Sequence, residues 1–153
     1  MQGELALARN VPIVVPKITM IGPVSTAPMA RYPRRLQRSR KRGAKTPAGA
    51  VYVGRPTLFN NPFRFERFGH ARSVLLYGDW MEGRLSDLRL ERHGFCPAEI
   101  DALHRKRERI HRNLHQLSHK DLVCWCPTTS KWCHADILLE HANEDLPKGF
   151  RFL

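Results

Sequence analysis

Three of the chain's four cysteines, one histidine and one aspartate fall within 13 residues: Cys124, Cys126, Cys133, His134 and Asp136. These residue types allow two chemistries. A cysteine at a helix N-terminus has its pKa lowered by the helix dipole and the free N–H groups, which makes it a nucleophile. On that reading Cys126 or Cys133 is the reactive thiol, and His134 and Asp136 assist it in covalent or acid–base chemistry. Thiolates and imidazole are also ligands for zinc, so Cys124, Cys126, Cys133 and His134 form an alternative metal set with Zn as the fitting cofactor. The spacing weighs against a simple four-ligand site. In an extended strand Cys124 and Cys126 project from one face about 6–7 Å apart, and adjacent helical residues such as Cys133 and His134 diverge by about 100°. The plainest reading makes Cys124 a small core residue and leaves Asp136 to complement a helix dipole.

A second group could bind an anion. Arg55, Asn60 and Asn61 follow a short apolar run. If that run pairs in parallel with the one before Cys126, the ends of the two strands lie side by side. Arg55 and helix N–H groups would then make a phosphate or carboxylate clamp. His111, His115 and His119 are spaced four apart, but no glutamate-containing metalloprotease signature accompanies them, and they read as surface histidines.

The elements that must position these groups are legible as periodicities. Ala50–Val53 is β-prone and bounded by Gly49 and Gly54. Residues 55–63, rich in Pro and Asn, form an ordered loop. Val74, Tyr77, Met81, Leu85 and Leu88 predict one helix over residues 71–90, weakened at Gly78 and Gly83, with Trp80 in the core. Pro97 opens a second helix reaching about Ser118, with Ile100, Leu103, Ile110, Leu114 and Leu117 as its buried stripe. Residues 121–126 read as a buried strand with Trp125 packed on the opposite sheet face, and 135–142 as a closing helix. The order β, α, α, β, α predicts an α/β fold: a small parallel or mixed sheet flanked by helices, with a basic, partly disordered N-terminal arm.

Charge is concentrated early. The chain has 153 residues, 42% hydrophobic and 26% charged, and a formal charge of +12. Residues 1–65 hold 12 Lys/Arg against the single acidic residue Glu4. Eight of these cations lie in residues 31–45, a segment expected to be an exposed basic arm or one short basic helix. Charge of this kind attracts polyanions and releases their counterions, so Arg34, Arg35, Arg38, Arg40, Lys41 and Arg42 are candidate nucleic-acid contacts. The expected organisation is a leader over 1–30, the basic arm over 31–48, one α/β domain over 49–145 and a tail over 146–153. A short strand at Ile13–Val15 or Ile18–Ile21 is expected within the leader, and Met29 is a plausible alternative start. The apolar stretch Val11–Val24, interrupted by prolines and Lys17, is neither a secretory signal nor a membrane span. The expected setting is the cytoplasm, with free thiols.

Taken together, the basic run from Arg34 to Gly43, Val51-Tyr52-Val53-Gly54-Arg55-Pro56-Thr57 with Asn61-Pro62-Phe63, Cys124-Trp125-Cys126 and Cys133-His134-Ala135-Asp136 resemble a small bacterial and phage family. It is the domain-of-unknown-function family four-three-two-six, and the resemblance covers about residues 34–143. This chain has Phe59-Asn60 where the family has Trp-Gly, and a longer loop at 127–132. The resemblance implies a fold and a site location. The function expected from the residues is a nucleotide- or nucleic-acid-handling domain with Arg55 as anion clamp. The alternatives are a non-enzymatic nucleic-acid-binding module with a structural zinc site, and an interaction protein with an inert cluster.

Overall fold

Leu122-Val123-Cys124 is short and apolar, and a buried strand of this kind must have its backbone paired on both sides. The computed structural model, which describes residues 31–145, provides that setting. β3 (Leu122–Cys124) is buried at all three positions and lies between β1 (Arg35–Gln37) and β2 (Val51–Tyr52), parallel to both. Leu36 and Tyr52 both stand opposite Val123. The ladder includes Val51 N–H to Asp121 O (2.8 Å), Val53 N–H to Val123 O (2.9 Å), Leu122 N–H to Arg34 O (2.9 Å) and Arg38 N–H to Cys124 O (2.7 Å). The expected α/β architecture therefore forms, with an all-parallel sheet.

The basic segment departs from the expectation of an arm or helix, because Arg35–Gln37 is an edge strand. Asp121 captures the segment. Its carboxylate accepts the Arg34 N–H (2.8 Å) and the Arg31 guanidinium (2.6 Å). Parallel pairing uses the backbone, so basic side chains are no obstacle to it. Arg40, Lys41 and Arg42 beyond the strand are exposed.

Between β2 and β3 run α1 (Phe65–Phe68), α2 (His70–Met81), α3 (Asp87–Arg92), α4 (Pro97–Asn113) and a 3₁₀ turn (Leu114–Gln116). The single helix expected over 71–90 is two helices. Gly83 has φ +74°, a left-handed conformation that stops α2, and Ser86 caps α3 by accepting the Arg89 N–H. The break rotates the stripe: Leu85 is buried, whereas Leu88 is 56% exposed. α4 begins with Pro97 after a reciprocal cap between Cys96 and Glu99, and buries Ile100, Leu103 and Ile110 as its period demands. Trp80 is fully buried, edge-on to Phe63. α5 (His134–Ala142) follows β3 and packs against β3 and β1.

The loop leaving β2 is fastened by Asn61. Its Nδ2 donates to Ser73 O (3.1 Å) and Oγ (3.0 Å), and its Oδ1 accepts the Phe63 N–H (2.8 Å). The possible strands at Ile13–Val15 and Ile18–Ile21, the leader over 1–30 and the tail over 146–153 lie outside the described residues. Among the described residues no helix is long and apolar enough to cross a membrane.

Two substitutions test these fastenings. Burial raises the Asp121 carboxyl, but hydrogen bonds from Arg31 and the Arg34 N–H more than offset it and hold the group below its ordinary value of 3.8. A depressed carboxyl stabilises the fold above its unfolded pKa, and that contribution is lost as pH falls through the folded pKa. Asp121→Asn is therefore expected to lower stability by about 1 kcal/mol at neutral pH in urea unfolding. The two proteins should converge in acid below the ordinary carboxyl value. Asn61→Ala leaves the Phe63 N–H and the Ser73 groups short of partners and is expected to cost about 2–3 kcal/mol in the same assay.

Candidate functional site

The joint between β3 and α5 gathers the sulfurs. The strand stops at Cys124 and the backbone bends at Trp125 and Cys126. The chain returns through residues 127–132 to Cys133, which is the extended N-cap of α5 (φ −152°). The sulfurs of Cys124, Cys126 and Cys133 all lie within 4.8 Å of one another, and those of Cys124 and Cys133 are 3.0 Å apart. The separation expected for a continuous strand does not apply, because the strand ends before Cys126. All three cysteines are free thiols. Cys124 and Cys133 are buried, and Cys126 is partly exposed.

The cation acting on this cluster is Arg35, from the basic segment. One guanidinium nitrogen, Nη2, donates to Thr128 O and Ser130 O, both at 2.8 Å, and so pins the loop between the cysteines. The other, Nη1, is 3.2 Å from the Asp136 carboxylate. It is buried and makes no hydrogen bond. Burial pulls the Arg35 pKa down, but the hydrogen bond to Cys133 and the charges of Asp136, Cys133 and Cys124 raise it overall. The thiols polarise one another. Hydrogen bonding with Cys124 and then Cys133 lowers the Cys126 thiol against its burial, with help from Arg35. Cys124 is pushed up by Cys126, Cys133 and its burial, and Cys133 is lowered first by Cys124. Burial raises the Asp136 carboxyl to about 6, opposed by Arg35.

Two histidines approach the cluster. His134 sets Nε2 3.1 Å from Val53 O and its ring edge-on to Tyr77, and a hydrogen bond from its side chain helps to lower Cys133. His70, the exposed first residue of α2, places Nε2 3.8 Å from Cys126 Sγ. The sequence reading did not single out His70, and no local signal marks it. It lies 56 positions before Cys126, and only the fold brings the two together. His111, His115 and His119 do not converge. His111 Nε2 lies 3.0 Å from Met81 O, and His115 Nδ1 is 3.1 Å from Arg112 O. Among the described residues the three cysteines are the one group of three or more Cys, His, Asp or Glu with ligand atoms this close.

The Arg55 loop faces a different partner. Arg55 donates to Asn61 O (3.1 Å), and Asn60 hydrogen-bonds Thr57 O and accepts from Lys106 Nζ (2.9 Å). Pro56, Thr57, Leu58 and Asn60 line one wall of a groove of about 540 Å³, and Arg105, Lys106 and Arg109 of α4 line the other. Burial, then the charges of Arg55 and Arg109, lower the half-buried Lys106 to about 8. Thr57 Oγ1 is buried without a hydrogen-bond partner. Arg105, Lys106 and Arg109 follow helical spacing off the apolar stripe of α4. The sequence marks that face as basic but not as half of a groove.

At the C-terminal end of the sheet, Arg38 lies over the rings of Tyr52 (4.5 Å to the centroid) and Trp125 (5.0 Å). Trp125 is 42% exposed. Gly54 makes room for Tyr52, since a β-carbon there would sit 2.6 Å from the phenol Cζ. Arg34, by contrast, contributes backbone groups to Asp121 and β3.

The thiol cluster has the ligand types of a metal centre and the lowered thiols of a nucleophilic site, and the groove has the charge of an anion site. No curated protein and no solved structure matches the chain. One family does, over residues 36–144, which takes in β1 from Leu36 onward, the groove, the sulfur cluster and α5. The chain belongs to that family, the domain of unknown function DUF4326.

Proposed function

We propose that the domain handles nucleic acid or a nucleotide, holding phosphate in the groove between the 56–60 loop and α4. The observation that carries this reading is the company kept by Lys106. It is half-buried, with Arg55 and Arg109 close enough to depress its pKa, and Arg105 lines the same groove. No ion pair to a carboxylate joins any of these four cations among the described residues. Keeping like charges together and partly desolvated is unfavourable unless an anion relieves them. The exposed face of Trp125 and the exposed Arg40, Lys41 and Arg42 add a stacking surface and further backbone contacts.

Fluorescence anisotropy with single- and double-stranded oligonucleotides, and competition with a nucleoside triphosphate, test the reading across a salt series. Affinity is expected to fall linearly on a log–log plot against salt. The double variant Lys106→Met/Arg109→Gln should bind at least about tenfold more weakly, with a slope reduced by about 1–2 units. Lys106 carries its charge below about pH 8 and loses it above. Triphosphate affinity should therefore decline between pH 7 and 9.5 in the wild type, and much less in Lys106→Met. Salt-independent binding, or a double variant equal to wild type, would overturn the proposal.

A further inference from the structure

A structural metal site needs soft ligands gathered around one point, a closed coordination shell, and neighbours that orient the ligands and balance their charge. The β3–α5 joint supplies three of the four ligands such a site needs. Zinc–sulfur bonds of about 2.3 Å in a tetrahedron set the sulfurs about 3.8 Å apart. Here three sulfurs lie within 4.8 Å of one another and the closest pair is 3.0 Å apart. Side-chain adjustments of about an ångström convert one arrangement into the other. Packing alone gives no reason to crowd three thiols, two of them almost wholly buried, around a common centre.

The fourth ligand comes from outside the cysteine segment. His70 Nε2, at 3.8 Å from Cys126 Sγ, is close to the separation of about 3.5 Å that a shared tetrahedral zinc imposes on sulfur and nitrogen ligands. Cys126 is the one partly exposed cysteine of the three, and His70 stands exposed beside it. His70 Nε2 lies outside the 4.8 Å group formed by the three sulfurs, so it stands on the open side of the cluster and completes the set by a turn of its exposed side chain. His134 is differently placed, because its Nε2 is engaged by Val53 O.

We propose that Cys124, Cys126, Cys133 and His70 bind one zinc ion as a closed, structural site. The ion replaces the thiol protons, which leave to solvent. Three thiolates, a neutral imidazole and Zn²⁺ carry a net charge of −1. Arg35, whose guanidinium lies close enough to Cys133 to sense its charge while pairing with Asp136, balances that charge. Three sulfurs with one nitrogen favour zinc over magnesium, calcium or manganese, which take oxygen ligands. The proposal is independent of the phosphate groove, and each stands if the other fails.

The test uses untagged full-length protein, purified reduced and without chelator. Elemental analysis is expected to give about one zinc per chain. An Ellman titration should count one reactive thiol, Cys96, until a chelator releases the other three. Cobalt added to the stripped protein should show intense visible bands of a tetrahedral sulfur-rich site. His70→Ala should weaken cobalt binding at least about tenfold and change the band pattern, whereas His134→Gln, which removes a neighbour of Cys133 and not a ligand, should keep the four-ligand tetrahedral pattern even where affinity falls. If either variant fails to fold, the wild-type thiol count and cobalt spectrum still decide. Zinc below about 0.2 equivalents with no cobalt uptake would overturn the proposal, and so would four freely reactive thiols or a Cys124–Cys133 disulfide. Loss of metal in His134→Gln but not in His70→Ala would overturn the ligand set.

Discussion

The structure depends on the two-sided pairing of β3. All three of its residues pair with β1 on one side, and two of them, Leu122 and Val123, pair with β2 on the other. A three-residue strand has little hydrogen-bonding capacity of its own, and it is stable here because each side is extended by flanking groups. Asp121 works at one end, through its carbonyl to Val51 and its carboxylate to Arg34. Cys124 O accepts the Arg38 N–H at the other. The two edge strands are separated from β3 by 80 residues or so in one case and about 70 in the other, so folding must close long loops before these bonds form.

All-parallel pairing has a functional corollary. The C-terminal ends of the three strands emerge on one side of the sheet, where α/β proteins place their ligands. From β1 comes Arg38, from β2 come Gly54 and Arg55, and from β3 come Trp125 and Cys126. Each is followed by a bend or loop rather than a further strand residue. Arg35, three residues earlier, lies beside Cys133 and reaches Asp136 and the 127–132 loop together. One basic side chain thus links the first strand of the sheet to the start of the last helix.

The sequence foretold much of this. β2, β3, α4 and α5 were legible because each carries a local signal: an apolar run with glycine boundaries, a helical stripe, a proline at the first turn. The convergence of Cys124, Cys126 and Cys133 was foreseeable in kind, although the separation expected from a straight strand was too large. β1 was hidden because its pairing is non-local: its anchor, Asp121, follows Arg34 by 87 positions, and eight cations in fifteen residues suggest a solvated segment. The 71–90 stripe was read through Gly83, where a left-handed residue resets the helical phase. His70 and the half-burial of Lys106 could not be read at all. One depends on where α2 starts in space, and the other on a loop laid across a helix from 46 positions away.

The meeting of His70 with Cys126 also has a topological meaning. It brings together two points 56 positions apart, and the chain between them contains most of α2, all of α3, α4 and the 3₁₀ turn, and β3. Any bond made there, by metal or otherwise, ties the helical half of the domain into a ring that closes on the sheet. A ring of that length has much conformational freedom to lose, so closing it restricts the unfolded chain far more than the folded one. The helices inside it would then open and close as one cooperative body rather than fray separately from their ends.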